Sequence, residues 1–171
     1  MSNNVNGVWN LDASHSEVGF VVRHAGISKV RGKFNFVEAV FESDSELNGK
    51  VEATVKADTF DSGDEGRDGH IKSADFLDVE NFPVLTFKGE KVGSSLSGVL
   101  TIHGVSKEVE FDITDGGTAV DPFGNLRAGF EASTTISRKD FGLTWNAALE
   151  TGGLLVGDKV TLNLDVSFIK S

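Results

Sequence analysis

The residues best equipped for chemistry sit in two short clusters. Arg67-Asp68-Gly69-His70 places a guanidinium, a carboxylate and an imidazole close together, with Asp75 and Asp78 just behind. Arg138-Lys139-Asp140 repeats the pairing of cation and carboxylate near the C-terminal end. An imidazole and a carboxylate held near a substrate could exchange protons, and Asp75 with Asp78 could form a carboxylate pair. Covalent catalysis needs more, namely a nucleophile beside its base. The chain has no cysteine, and Ser14, Ser28, Ser106 and Ser137 lie outside any G-x-S-x-G elbow. His15, His24, His70 and His103 are scattered, with no H-E-x-x-H spacing for a metal. The acidic loop from Asp61 to Gly66 has Gly63 at its third position and Lys72 at its twelfth, so a calcium-loop ligand set fails. Gly63, Gly66 and Gly69 lack the strand–glycine–helix setting of a phosphate cradle. No metal or cofactor is expected. Arginine offers five fixed donors that can tie loop carbonyls and a carboxylate together. A structural role for Arg67, Asp68, His70, Arg138 and Asp140 is therefore the preferred reading.

The elements that would carry these clusters are mostly strands. Apolar residues alternate with polar ones at period two in Glu17 to His24, Lys29 to Glu42, Val51 to Ala57, Val84 to Val92, Leu96 to Ile102, Val109 to Ile113, Leu126 to Ile136 and Val160 to Phe168. Gly32 is expected to bend the long second segment. Asn48-Gly49 signals a hairpin, and Asp115 to Gly124 reads as a turn-rich loop. One stretch differs: between Gly66 and Pro83, Ile71, Ala74 and Leu77 follow at helical spacing, with Asp68 the expected cap. Phe82 before Pro83 must leave the helical region and start a strand. Roughly eight strands, each apolar on one face, predict an all-β, antiparallel, eight-stranded barrel with a short helix inserted as a lid.

The inward faces name the residues that would line such a barrel. They are Phe20 and Val22; Phe34 and Phe36; Val55; Phe87; Leu100 and Ile102; Phe111; Phe130, Ala132 and Ile136; Leu162 and Leu164. His24 continues the face of Phe20 and Val22; it either meets a ligand head group or is a buried structural histidine. Phe76, Phe141 and Trp145 lie outside strands, as anchors for the helix and the late loop, as a portal lining, or both. Small inward residues (Ala53, Ala57, Gly98, Ala128, Ala132) leave room, which phenylalanines from opposite walls would otherwise fill.

Composition narrows the partners. A chain of 171 residues suits one domain, here 1-171 with the first seven residues expected to be flexible. With 16 basic and 26 acidic residues the net charge is −10, which disfavours nucleic acid and electrostatic docking on anionic membranes. No apolar run is long enough for a membrane-spanning helix. The first residues lack the basic and apolar regions of an export signal, so a cytoplasmic location is expected, or a periplasmic one if a leader has been removed. Thirteen phenylalanines and no tyrosine suit a dry interior.

Four ordered blocks resemble the YceI-like family of lipocalin-like polyisoprenoid-binding proteins. Arg67, Asp68, His70, Ile71, Ser73, Asp75, Phe76, Leu77, Asp78, Phe82 and Pro83 resemble its R-D-x-H signature. The opening WNLDASHSEVGFVVRHAGISKVRGKF, the central GVLTIHGVSKEVEFD and the closing ISRKDFGLTWNAALETGGLLVGDKVTLNLDV are similar to the family's other blocks. The resemblance covers about Val8 to Ile169. It implies an open tunnel for a long-chain isoprenoid or other apolar-chain lipid, such as a polyprenol, polyprenyl phosphate or isoprenoid quinone. It also implies non-catalytic storage or transport and a homodimer. The alternatives are a filled barrel acting through protein interactions, and an isoprenoid-metabolising enzyme using Arg67, Asp68 and His70. The enzyme reading lacks the Asp-rich metal sites that prenyl diphosphate chemistry generally requires.

Overall fold

The computed structural model describes residues 4–25, 27–35, 37–146 and 156–171, and for His24 the backbone only. Its strands are β1 (Gly7–Leu11), β2 (Glu17–His24), β3 (Ser28–Phe34), β4 (Val37–Ser43), β5 (Gly49–Lys56), the two-residue β6 (Phe60–Asp61), β7 (Val84–Val92), β8 (Ser95–Ile102), β9 (Val105–Val120), β10 (Leu126–Ser137) and β11 (Val156–Lys170). One α-helix, α1 (Glu65–Lys72), stands between β6 and β7.

All pairings are antiparallel, in the order β1-β4-β5-β7-β8-β9-β10-β11, and β1 then pairs with β11 to close the ring. The result is the expected closed eight-stranded barrel. Closure removes free edges, which a chain of amphipathic strands would otherwise present to other molecules. The long β11 changes partner along its length. Its C-terminal end pairs with β1 (Leu11↔Phe168) and its middle with β2 (Glu17↔Asp165), so β2 and β3 form a flap that continues the wall toward the helix.

The partner change is built at Asp12. Its carboxylate accepts from Ser14 N–H (3.1 Å) and Ser14 Oγ (2.6 Å), capping the 3-10 turn Ala13–His15 that separates β1 from β2. Arg127 on β10 donates to Asp12 at 2.9 Å and to Asp121 at 2.7 Å, tying the turn to the β9–β10 hairpin.

Four sequence expectations change. The single strand from Lys29 to Glu42 is two strands with a break at Asn35, and the break resets the pleat. Val30 and Phe34 face inward on β3, whereas Val37 and Phe41 face inward on β4, leaving Val40 40% exposed. Phe36 lies outside the described residues. Next, β9 runs to Val120 through the expected loop. Its alternation ends at Ile113 and every residue from 114 to 120 is exposed, so no pattern marks the strand. Helix α1 starts earlier than expected, capped by Asp64, whose carboxylate accepts from Arg67 N–H at 3.0 Å. Asp68 lies inside it and instead accepts from Ser62 N–H at 2.9 Å and from Ser62 Oγ. The helix ends at Lys72, before Ala74.

Finally, Gly98 does not leave room. A Cβ there would stand 2.3 Å from the Lys88 carbonyl oxygen, and one on its cross-strand partner Gly89 would stand 2.5 Å from Ser97 O. These glycines bend the wall by letting two backbones approach.

Candidate functional site: an apolar tunnel under a helical lid

Aromatic side chains fill one end of the barrel. Trp9 is fully buried, with its indole N–H donating to Val5 O at 3.0 Å. Above it Phe41, Phe130 and Phe168 meet edge to face, their centroids 6.0 to 6.1 Å apart. This is the favoured geometry for ring quadrupoles, and it makes a floor. The filled reading of the sequence describes this end.

The rest is not filled. A deep chamber of about 160 Å³ lies above the floor, and an outer chamber of about 520 Å³ continues it toward α1. Phe34, Leu85, Ile102 and Leu162 line both, so the two chambers adjoin across these four side chains. Val55, Phe87, Leu100, Phe111, Phe130, Ala132 and Leu164 wall the deep part. Phe20, Val22, Phe76, Ile136 and Trp145 wall the outer part. Room in the deep chamber comes from Ala39, Ala53 and Ala132, whereas Ala57 and Ala128 are packed at 1% exposure outside its lining.

Phe141 departs from the expected lining. It sits in the 3-10 turn Arg138–Phe141 at 1% exposure and borders neither chamber; it anchors the turn in the core. Sequence reasoning also missed several wall residues. Val37, Ala39 and Phe41 were lost with the pleat reset after Asn35. Lys91 is a further omission, and a charged one. It lies 4% exposed on the deep chamber, its ammonium donating to Leu47 O at 2.8 Å and standing 3.5 Å from Asp115. Its parity along β7 with Leu85 and Phe87 was the available signal.

The lid is held by a cluster around His70. Its Nε2 pairs with the Asp75 carboxylate at 2.9 Å. Its ring meets Phe76 and Trp145 edge to face, with centroids 5.2 and 4.5 Å apart. Arg67 donates through Nε and Nη2 to Ser62 Oγ (2.8 Å) and Ser62 O (3.0 Å). Since Asp68 accepts from the same serine, the two charges pin one turn of loop.

Arg138 does the corresponding work for the late loop. Only 3% exposed, it donates to Gly157 O (2.9 Å), Leu143 O (2.6 Å), Trp145 O (2.9 Å) and Val156 O (3.2 Å). Four carbonyls from both limbs of the excursion thus converge on one planar group, as fork geometry permits. Burial lowers the guanidinium pKa, against the opposing pull of Asp158. Asp140, its expected companion, is exposed. The side chain of His24 lies outside the described set. Among the described residues no three His, Asp or Glu side chains converge on a metal position.

A closed antiparallel barrel with adjoining, mainly apolar chambers beside a short helix defines a class of small-ligand-holding barrels. The chain belongs to the YceI-like family, whose domain model matches residues 9–168. A UPF0312 protein of Staphylococcus aureus (strain MSSA476) is 34% identical over 166 residues, covering 94% of this chain and 96% of that protein. The crystal structure of a Campylobacter jejuni YCEI protein superposes with a TM-score of 0.73 at 30% identity, covering 100% of this chain and 99% of the other. A polyisoprenoid binding domain from Saccharophagus degradans shares the fold, with a TM-score of 0.75 at 14% identity over 95% of this chain and 98% of its own.

Proposed function

We propose that this protein is a non-catalytic carrier that holds the apolar chain of a long-chain isoprenoid lipid in its barrel. The observation that carries this reading is the pair of adjoining chambers, walled mainly by Phe, Leu, Val, Ile and Ala, with Lys91 on the deep one and Arg23, Asp64, Arg67, His70 and Arg138 on the outer one. Burying a chain contributes about 0.8 kcal/mol per CH₂, so roughly ten buried carbons supply about 8 kcal/mol before ordering costs. Such a site needs shape and dryness, and no particular polar residue.

A linear chain suits adjoining apolar chambers floored by aromatics at one end. The S. degradans domain is described as polyisoprenoid binding, which supports an isoprenoid as the cargo. The enzyme reading finds less support. Arg67 and Asp68 are both committed to Ser62, and His70 to Asp75 and two aromatic rings.

Organic extraction of freshly purified protein followed by mass spectrometry tests the proposal. The expected result is a stoichiometric long-chain isoprenoid. An empty extract, with no uptake of added polyprenol or quinone, would overturn it.

A further inference from the structure

Net charge hides an uneven distribution along the outer face of the β11–β2–β3 wall. Away from the mouth, Glu17, Asp165 and Glu131 stand opposite one another on three adjacent strands. Nearer the mouth the sign reverses. Arg23 and Lys29 are directly opposite across β2 and β3, and with Arg31 and Lys159 they line one surface groove of about 630 Å³. All four side chains are exposed, and none takes part in an ion pair among the described residues. Like charges directly opposite across a strand pair repel, and an external anion would relieve this.

Asp158 also lines the groove, but its carboxylate accepts from Ser137 Oγ at 2.6 Å and from Lys139 N–H at 3.3 Å. Val22 and Arg23 border both this groove and the outer chamber, so the cations adjoin the tunnel entrance. At the turn between β2 and β3, Ile27 is 88% exposed. A basic patch ending in an exposed aliphatic tip matches an anionic bilayer, with headgroups for the cations and acyl chains for the tip. Nucleic acid would use the cations and leave the isoleucine without a partner.

We propose that the β2–β3 hairpin docks the tunnel mouth on anionic lipid surfaces. The acidic band behind it orients the molecule, since a surface potential acts on local charge within about a Debye length. Loading at that surface rests on the carrier reading above; the docking itself does not.

Co-sedimentation of the full chain with phosphatidylcholine vesicles, with and without phosphatidylglycerol, tests this. Binding is expected only to the anionic vesicles and should weaken steeply with salt. The double substitution Lys29→Gln/Arg31→Gln should lower partitioning roughly tenfold or more. Ile27→Ser should lower it as well, while Lys50→Gln, on β5, should not. The proposal is overturned if the protein ignores anionic vesicles, binds neutral ones equally, or binds as well with both cations removed. It is also overturned if duplex DNA captures the protein and vesicles do not. Uptake of detergent-solubilised polyprenol by the same variants separates the two readings: it should stay at the wild-type level, and its absence in every form would sink the carrier function alone.

Discussion

The rings of His70 and Trp145 meet edge to face with centroids 4.5 Å apart, joining the lid helix to the loop after β10. Phe76 completes the cluster, its centroid 5.3 Å from Trp145. All three rings line the outer chamber, so the hold of the helix over it depends on a few ring contacts. Aromatic pairs contribute about 0.5–1.5 kcal/mol each beyond area burial. Losing both Trp145 pairs should make lid opening roughly tenfold more frequent. Stopped-flow release of a fluorescent prenol analogue from Trp145→Ala would show this as a faster rate; an unchanged rate would remove the ring cluster from the gate.

Trp145 also reports on occupancy. It lines the outer chamber, whereas Trp9 lies fully buried beneath the aromatic floor. In Trp9→Phe, emission from Trp145 should shift when a polyprenol is added. In Trp145→Phe, emission from Trp9 should stay constant during the same titration.

Ala132 faces the deep chamber at 6% exposure. A phenylalanine in a filled core would strain it by about 1–3 kcal/mol, but here it has open volume to enter. Ala132→Phe should melt close to wild type and lose bound lipid in extraction and mass spectrometry. Retention of full lipid stoichiometry would show that cargo never reaches the deep chamber.

Arg138 organises the late loop through carbonyls on both of its limbs. Arg138→Lys keeps the charge but concentrates its donors on one atom, which cannot span acceptors at Leu143, Trp145, Val156 and Gly157 together. Stranding buried carbonyls costs about 1–3 kcal/mol. Urea melts of this variant should show a lower midpoint, by that order, with the slope little changed.

Acid should weaken the tie at Asp12 and Asp121. Arg127 holds the Asp121 carboxyl down to about 2, and Ser14, Arg127 and His15 together hold Asp12 well below the usual carboxylate range. Both folded-state values are depressed, so the stabilisation is present above roughly pH 4. It is lost as pH falls from there through the folded-state values. Denaturant midpoints should therefore drop between about pH 4 and pH 2, and Arg127→Gln should flatten much of that drop. An equally steep drop in the variant would place the acid sensitivity elsewhere.

Much of the barrel was legible because its signal is local. In β11, Leu162, Leu164, Val166 and Phe168 alternate with Thr161, Asn163, Asp165 and Ser167, and period two needs no knowledge of the partner strand. The same parity named the walls at Phe20, Leu100, Phe111 and Leu162. It failed where the pleat resets at Asn35, because one irregular residue exchanges the faces of everything after it. It failed again beyond Ile113, where both faces of β9 meet water and no pattern exists.

By itself the sequence determined the all-β architecture, the lid segment, the want of an activated nucleophile among its motifs, and the family resemblance. Only the tertiary structure decided where the interior is full and where it is empty. Free volume depends on which rings meet across the barrel: Phe41, Phe130 and Phe168 come from three strands and together fill one end. Tertiary structure likewise placed Arg23 opposite Lys29 at the mouth and Glu17 opposite Asp165 behind it. A sum over charges fixes −10, but a field depends on position, and position is set by strand pairing.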